Sequence, residues 1–212
     1  MINSETEQEP AQTHPPVVSL EDLFQIPSVV PGRTHNQAMP TWRTLNASDI
    51  EGLMHVADEV HPSLPESAHV FAERVRLYPE GCLALEEDGE ICGYAISYPI
   101  RQHQPPALDS LLGEIASDAD QYYIHDIAIS PRLRGGGLAA ECIGKLLVTA
   151  NRYQKTCLVS VYGTEAFWAR FGFVPEPVTG AMRSKLCDYG EDAIYLSRSN
   201  DQMCAMLANG SG

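Results

Sequence analysis

Ile127-Ala128-Ile129-Ser130-Pro131-Arg132-Leu133-Arg134-Gly135-Gly136-Gly137-Leu138-Ala139 runs an apolar strand end into a basic, glycine-rich turn and then opens a helix. The first turn of a helix carries unpaired N–H groups and the positive end of the helix dipole, which together attract an anion. Glycines let backbone amides approach a phosphate with no side chain in the way. Arg132 and Arg134 add positive charge. The turn lacks the G-x-G-x-x-G fingerprint of a dinucleotide fold, and no Gly-Lys-Ser/Thr follows it as in a Walker A loop.

Elements can be laid out on both sides of this turn. Tyr122 to Ile129 reads as the strand before it and Leu138 to Tyr153 as the helix after it, with Cys142, Leu146 and Thr149 facing inward. Upstream, Thr41 to Leu45 reads as a short strand. Asn46 or Ser48 can cap a helix that carries Leu53, Val56 and Val60 on one face and breaks at His61-Pro62. A second helix is expected over Glu66 to Leu77, ended by Pro79. Cys82 to Glu86 and Ile91 to Tyr98 flank Asp88-Gly89, a hairpin signature. Residues 99 to 121 form a long connection with a short helix expected at Leu108 to Ile115. Downstream come a strand at Cys157 to Tyr162, a short helix at Thr164 to Arg170 and a last strand at Ala193 to Ser197. This order gives an α/β (α+β) sheet with helices on both faces.

The proline-rich composition of residues 1–38 suits a disordered or loosely docked tail, with Val17 to Val30 apolar enough to pack on the domain. The folded domain is expected over 39–200, with a short C-terminal tail at 201–212. The chain carries 28 acidic residues against 14 Lys and Arg, and the part beyond residue 38 keeps 23 against 13. That sign disfavours nucleic acid and favours cationic partners. No apolar run approaches the roughly 20 residues of a membrane helix, and MINSETEQEP is no secretory signal. A cytoplasmic location with no membrane partner is therefore the expectation. Six cysteines without a C-x-x-C pair read as reduced core residues, and no metal is expected. Homodimer assembly stays open.

A second motif raises the weight of the glycine turn. Phe167-Trp168-Ala169-Arg170-Phe171-Gly172-Phe173 resembles the F-Y-x-x-x-G-F closing motif of the GCN5-related N-acetyltransferase (GNAT) family. Arg134-Gly135-Gly136-Gly137-Leu138-Ala139 resembles that family's R/Q-x-x-G-x-G/A. The two pieces together span residues 122 to 173, and the order of elements matches back to about residue 41. The resemblance implies a mixed, mostly antiparallel sheet that splays between its fourth and fifth strands. It also implies acetyl-CoA as co-substrate, its pyrophosphate on the amides of Arg134, Gly135, Gly136, Gly137, Leu138 and Ala139. The pantetheine arm would lie along Ile127, Ala128 and Ile129, with Trp168 beside the cofactor. The implied reaction is direct attack of an acceptor amine on the acetyl carbonyl through a tetrahedral intermediate.

A small-molecule primary amine is the favoured acceptor, because the long 99–121 connection can close a pocket. A protein N-terminus or lysine is the alternative, and a non-catalytic CoA-binding sensor a second one. The family's tyrosine acid, four residues before the glycine of G-F, is replaced here by Trp168, which leaves the thiolate without its usual proton donor. Tyr162 is the nearest phenol in sequence. His125 is the candidate base, since histidine titrates near neutrality. Relatives acting on arylalkylamines carry His-x-His on this strand, and here the matching positions are Tyr123 and His125. In a regular strand Asp126 faces away from His125, but a bulge could bring it round. Four other histidines, His55, His61, His69 and His103, are expected at the surface or in structural roles, and Glu86, Glu87 and Asp88 at a solvated hairpin tip. Arg101 is expected as a solvated loop arginine.

Overall fold

The structure, a computed structural model, describes residues 38–200. The two proposed tails therefore lie outside the described residues, apart from Ala38. The chain runs β1 (Thr41–Thr44), α1 (Ile50–Val60), α2 (Ala68–Leu77), β2 (Cys82–Glu87), β3 (Glu90–Ile100), β4 (Gln121–Ile129), α3 (Leu138–Ala150), β5 (Lys155–Ser160), α4 (Glu165–Ala169), β6 (Val174–Pro175), α5 (Gly180–Cys187) and β7 (Ile194–Ser199). The strands form one sheet in the order β1-β2-β3-β4-β5-β7-β6. All neighbours are antiparallel except β4 and β5, which α3 connects in parallel.

The parallel pair is short. Gln121 to Ile124 pairs with Lys155 to Leu158, and pairing stops there. Beyond that point β4 stays on β3 as far as Ile129, while Val159 and Ser160 of β5 pair with β7. The sheet therefore opens into the expected splay after Ile124. Within β4 the register against β3 shifts, because Ile96 faces Asp126 while Ser97 faces Ile124. His125 is the extra residue of a β-bulge.

Helices cover both faces. On one side α1 and α2 bury Leu53, Val56, Val70 and Phe71, with Phe71 edge-on to Tyr94 at 5.6 Å. On the other, α3 buries Cys142, Ile143, Leu146, Leu147 and Ala150, and Tyr153 just beyond it packs on Tyr122. Trp42 is buried, and its Nε1 donates to Leu138 O at 2.9 Å, tying β1 to the start of α3. Cys82, Cys92, Cys142 and Cys157 are buried thiols as expected, whereas Cys187 is exposed.

Two local expectations need correction, and two short elements had none. No helix forms at Leu108 to Ile115. Glu73 accepts from the amides of Leu112 and Gly113 at 2.7 and 3.0 Å, and the buried Arg74 donates to Ser110 O at 2.5 Å. Side chains of α2 thus take the backbone groups that a helix would use for itself. The hairpin tip is not simply solvated, since Glu86 pairs with Arg43 at 2.5 Å and the buried Glu87 pairs with Arg132. The short β6 and α5 carry too little periodic signal to be read from sequence. α5 buries only Met182 and Leu186 and is fixed by its cap, Thr179 Oγ1 accepting from Met182 N at 3.4 Å.

Gly81 is a close approach of two backbones. A Cβ there would lie 2.1 Å from Ser97 O and 2.7 Å from the Tyr78 ring. Gly81→Ala should destabilise the domain by about 3 kcal/mol or more, read as a lower urea midpoint at unchanged slope. Gly144, on the exposed face of α3, meets nothing within 4 Å. Gly144→Ala should stabilise by roughly 0.5–1 kcal/mol on helix propensity alone.

Candidate active site

The glycine turn is built as an open cradle. Gly135 and Gly137 take left-handed backbone, with φ of +81° and +83°, which side chains resist. The first backbone bond into α3 is Glu141 N–H to Gly137 O at 3.0 Å. The amides of Gly135 to Ala140 consequently have no acceptor among the described residues. A Cβ on Gly137 would meet nothing within 4 Å and one on Gly136 only Leu133 O at 3.8 Å, so the space in front of the amides is free. The two arginines have different partners. Arg132 is held by Glu87 on the hairpin. Arg134 is half-buried behind the turn, its Nε donating to Ile129 O at 3.3 Å, and burial lowers its pKa.

Ile127, Ala128 and Ile129 lie on β4 beyond its last pair with β5, so the edge that faces the splay has no strand against it. Trp168 sits across the splay in α4, packed against Phe167, Phe171 and Phe173 with ring centroids 5.4, 6.5 and 5.4 Å away. The closing motif is thus an aromatic cluster at the foot of β5, and Trp168 offers no ionisable proton there.

The bulge decides what stands at the opening. In a regular strand His125 and Asp126 would point to opposite faces. Here Tyr123 and Asp126 both face the side of Tyr98 and Ile96, and His125 joins them, 5.7 and 5.8 Å from the Tyr98 and Tyr123 rings. Each acquires a partner from the connection between α1 and α2. His125 Nε2 is 2.7 Å from Glu66 Oε2, and both side chains are almost wholly buried. Asp126 Oδ1 is 3.0 Å from His61 Nε2, outside linear hydrogen-bond geometry, while its Oδ2 accepts from the Tyr94 hydroxyl at 2.5 Å.

Electrostatics make the second pair ionic. Burial pulls the His61 pKa down, but the charge and contact of Asp126 outweigh it, and the net shift is upward. Burial pushes Asp126 up, and His61 together with the Tyr94 bond outweighs that and holds the carboxyl below its usual range.

Tyr162 completes the opening from the β5 side. Its ring stacks on His61 at 5.8 Å with an interplanar angle of 10°, and its hydroxyl lies 3.3 Å from Ser63 Oγ. It holds φ at +55°, a left-handed conformation that costs a non-glycine residue about 1–2 kcal/mol. Burial raises its phenol pKa, so the ring stays neutral at physiological pH.

The sequence-read site residues therefore divide in two. Arg134 to Ala139 and Ile127 to Ile129 line the open edge and turn, and His125, Asp126 and Tyr162 gather around the splay. His61, expected at the surface or in a structural role, is not at the surface but largely buried against Asp126 and Tyr162. Its only sequence signal is its place at the helix-breaking His61-Pro62. Glu66 gave no signal. Among the other candidates, Arg101 is tied to Asp118 at 2.8 Å and His103 to Glu176 at 2.7 Å, both away from the splay. No described helix is long and apolar enough to cross a membrane.

Comparison with known proteins agrees with this geometry. No curated protein is similar enough in sequence to count as a relative. Solved structures share the fold. The loading GNATL domain of CurA from Lyngbya majuscula superposes with a TM-score of 0.66 at 14% identity, covering 78% of this chain and 100% of that one. The ribosomal-protein-S18-alanine N-acetyltransferase of Escherichia coli superposes at 0.52 and 19% identity, covering 76% and 94%. N-acetylglutamate synthase from Neisseria gonorrhoeae, solved with coenzyme A and N-acetyl-glutamate, superposes at 0.56 and 20% identity over 76% of this chain and 35% of its own. The model of the acetyltransferase (GNAT) family matches residues 46–173, more than half of the chain, and the chain belongs to that family.

Proposed function

We propose that this protein is an acetyl-CoA-dependent N-acetyltransferase acting on a small-molecule primary amine. The observation that carries the reading is the row of unpartnered amides from Gly135 to Ala140 at the foot of an open β4 edge. Such a row suits a pyrophosphate, and an extended amide-bearing arm can then pair along Ile127 to Ile129. The thioester would reach the splay beside His125, Asp126 and Tyr162.

Each side chain has a role in this scheme. The amine enters as an ammonium ion, which the surplus of carboxylates favours. His125, oriented by Glu66, first takes a proton from the ammonium so that its nitrogen has a lone pair to attack with, passes it to solvent, and takes the second proton from nitrogen once the N–C bond has formed. Collapse of the tetrahedral intermediate breaks the C–S bond, and the thiolate is protonated from the Tyr162 side. A small acceptor is favoured because the 101–120 connection is fastened down. Asp109 accepts from Ser67 N at 2.7 Å, and Glu73 and Arg74 hold residues 110 to 113. A pinned connection suits a small acceptor better than a peptide, which needs an open groove.

Two measurements test the reading. Calorimetry should detect acetyl-CoA binding to the wild type, and Gly136→Trp should abolish it without changing the unfolding transition. Gly136 is the better position than Gly137, because it has open space and no left-handed φ. A folded wild type that binds nothing at millimolar acetyl-CoA refutes the reading. Release of CoA thiol across a panel of small amines, beside detection of acetylated peptides, then assigns the acceptor class. In that assay His125→Gln should lower turnover by about 10²–10⁴-fold at unchanged acetyl-CoA affinity. Turnover near wild type would place the base elsewhere.

A further inference from the structure

The replacement of the family's tyrosine acid by Trp168 leaves a chemical step without an owner. Of the two imidazole–carboxylate pairs around the β4 bulge, His61–Asp126 is the more exposed, at 14% and 18% of side-chain surface. His125 sits one residue deeper along the splay, against Tyr98 and Tyr123, with 2% of its side chain exposed. His61 is at the mouth, where its ring meets Asp126 from β4 and Tyr162 from the end of β5. It thus touches β4 and the turn that follows β5, one on each side of the splay. Its Nδ1, like that of His125, is buried and has no partner among the described residues. A buried imidazole nitrogen without a partner is costly unless something binds there in the working state.

We propose that His61, held by Asp126, is the catalytic residue that delivers the proton to the departing CoA thiolate. This rests on the acetyl-CoA reading above and assigns the step that reading leaves to the Tyr162 side. As the tetrahedral intermediate collapses, the C–S bond breaks with its electron pair on sulfur. The proton on the His61 imidazolium passes to sulfur, giving CoA thiol and neutral imidazole. Solvent returns one proton to His61 after product leaves, while the ammonium nitrogen gives up two through the base, so each turnover releases one proton net. Tyr162 is then a positioning residue: its ring, stacked flat on His61, fixes the imidazole plane across the splay, with its hydroxyl on Ser63.

The surroundings favour the charged imidazole. Facing His61 are Asp126 from β4, with the Tyr94 hydroxyl of β3 behind it, Glu66 from the α1–α2 connection, Arg134 from the glycine turn and Tyr162. The carboxylates outweigh both burial and the opposing charge of Arg134, so His61 stays protonated to a higher pH than a free histidine. Thiols of this class ionise near pH 8.5, close enough for transfer in the required direction.

The test uses CoA itself, so that binding and proton donation are read apart. The bound thiol is titrated by its ultraviolet thiolate absorbance in the full-length wild type, His61→Gln and Asp126→Asn, with calorimetry confirming CoA occupancy in each. In the wild type an imidazolium beside the sulfur should lower the thiol pKa below about 8.5, the value of a free thiol. In both variants the pKa should return toward that value. Turnover should fall by about 10²–10⁴-fold in His61→Gln with KM for acetyl-CoA unchanged, and the alkaline limb of the wild-type profile, set by loss of the His61 proton, should disappear. A thiol that titrates identically in wild type and His61→Gln, with CoA bound to both, overturns the proposal and leaves the acetyl-CoA reading intact. CoA that fails to bind folded wild type overturns both. If His61→Gln does not fold, the Asp126→Asn titration decides by the same criterion.

Discussion

β4 stops pairing with β5 after Ile124, and the site depends on that parting. A parallel pair continued to Ile129 would fill the β4 edge with strand hydrogen bonds and leave no room for a ligand's own amides. The parting is held from both sides. β3 keeps β4 to its end, while β7 takes the remainder of β5. The bulge at His125 falls one residue beyond the last parallel pair, where a strand released on one edge can accommodate an extra residue. Its effect is to turn two consecutive polar side chains to the same face, toward the α1–α2 connection.

That connection answers with opposite chemistry in each case. The β4 histidine meets a carboxylate, Glu66, and the β4 carboxylate meets a histidine, His61. Neither buried group is left alone, which is the condition for keeping ionisable side chains in a largely apolar layer. The two pairs differ in use because they differ in place. His125–Glu66 braces β4 against the helices from within and can meet an acceptor from that side. His61–Asp126 sits where the sheet is open. Tyr162 shares that place in a strained backbone conformation, and non-glycine residues hold such conformations where the surroundings over-determine them.

Much of this was legible from residues 122 to 173. The strand, the glycine turn and the helix after it could be placed because their signals are local: an apolar run, three glycines and helical periodicity. The splay followed from the family resemblance, and the β4–β5 register bears it out. The possibility of a bulge near His125 was also readable, but not its consequence, because the partners of His125 and Asp126 lie 59 and 65 residues away on the chain. Glu66 and His61 look like an ordinary helix-flanking acid and a helix breaker, and only the packing of α1 and α2 on the sheet gives them a role. The 101–120 connection misled for a related reason. Its apolar residues suggest a helix, yet Glu73 and Arg74 of α2 claim its backbone groups. At α5 a capping threonine and two buried side chains suffice for a helix that no periodic pattern announces.

The central claim is that a CoA pyrophosphate is held by the amides of the glycine turn and its pantetheine arm by the open edge of β4. Backbone amide resonances and hydrogen exchange, followed as acetyl-CoA is added, test it most directly. The expected result is that Gly135 to Ala140 shift and gain exchange protection together with Ile127 to Ile129, while the β2–β3 hairpin stays as it was. Binding that leaves these amides unchanged and perturbs another part of the sheet would contradict it.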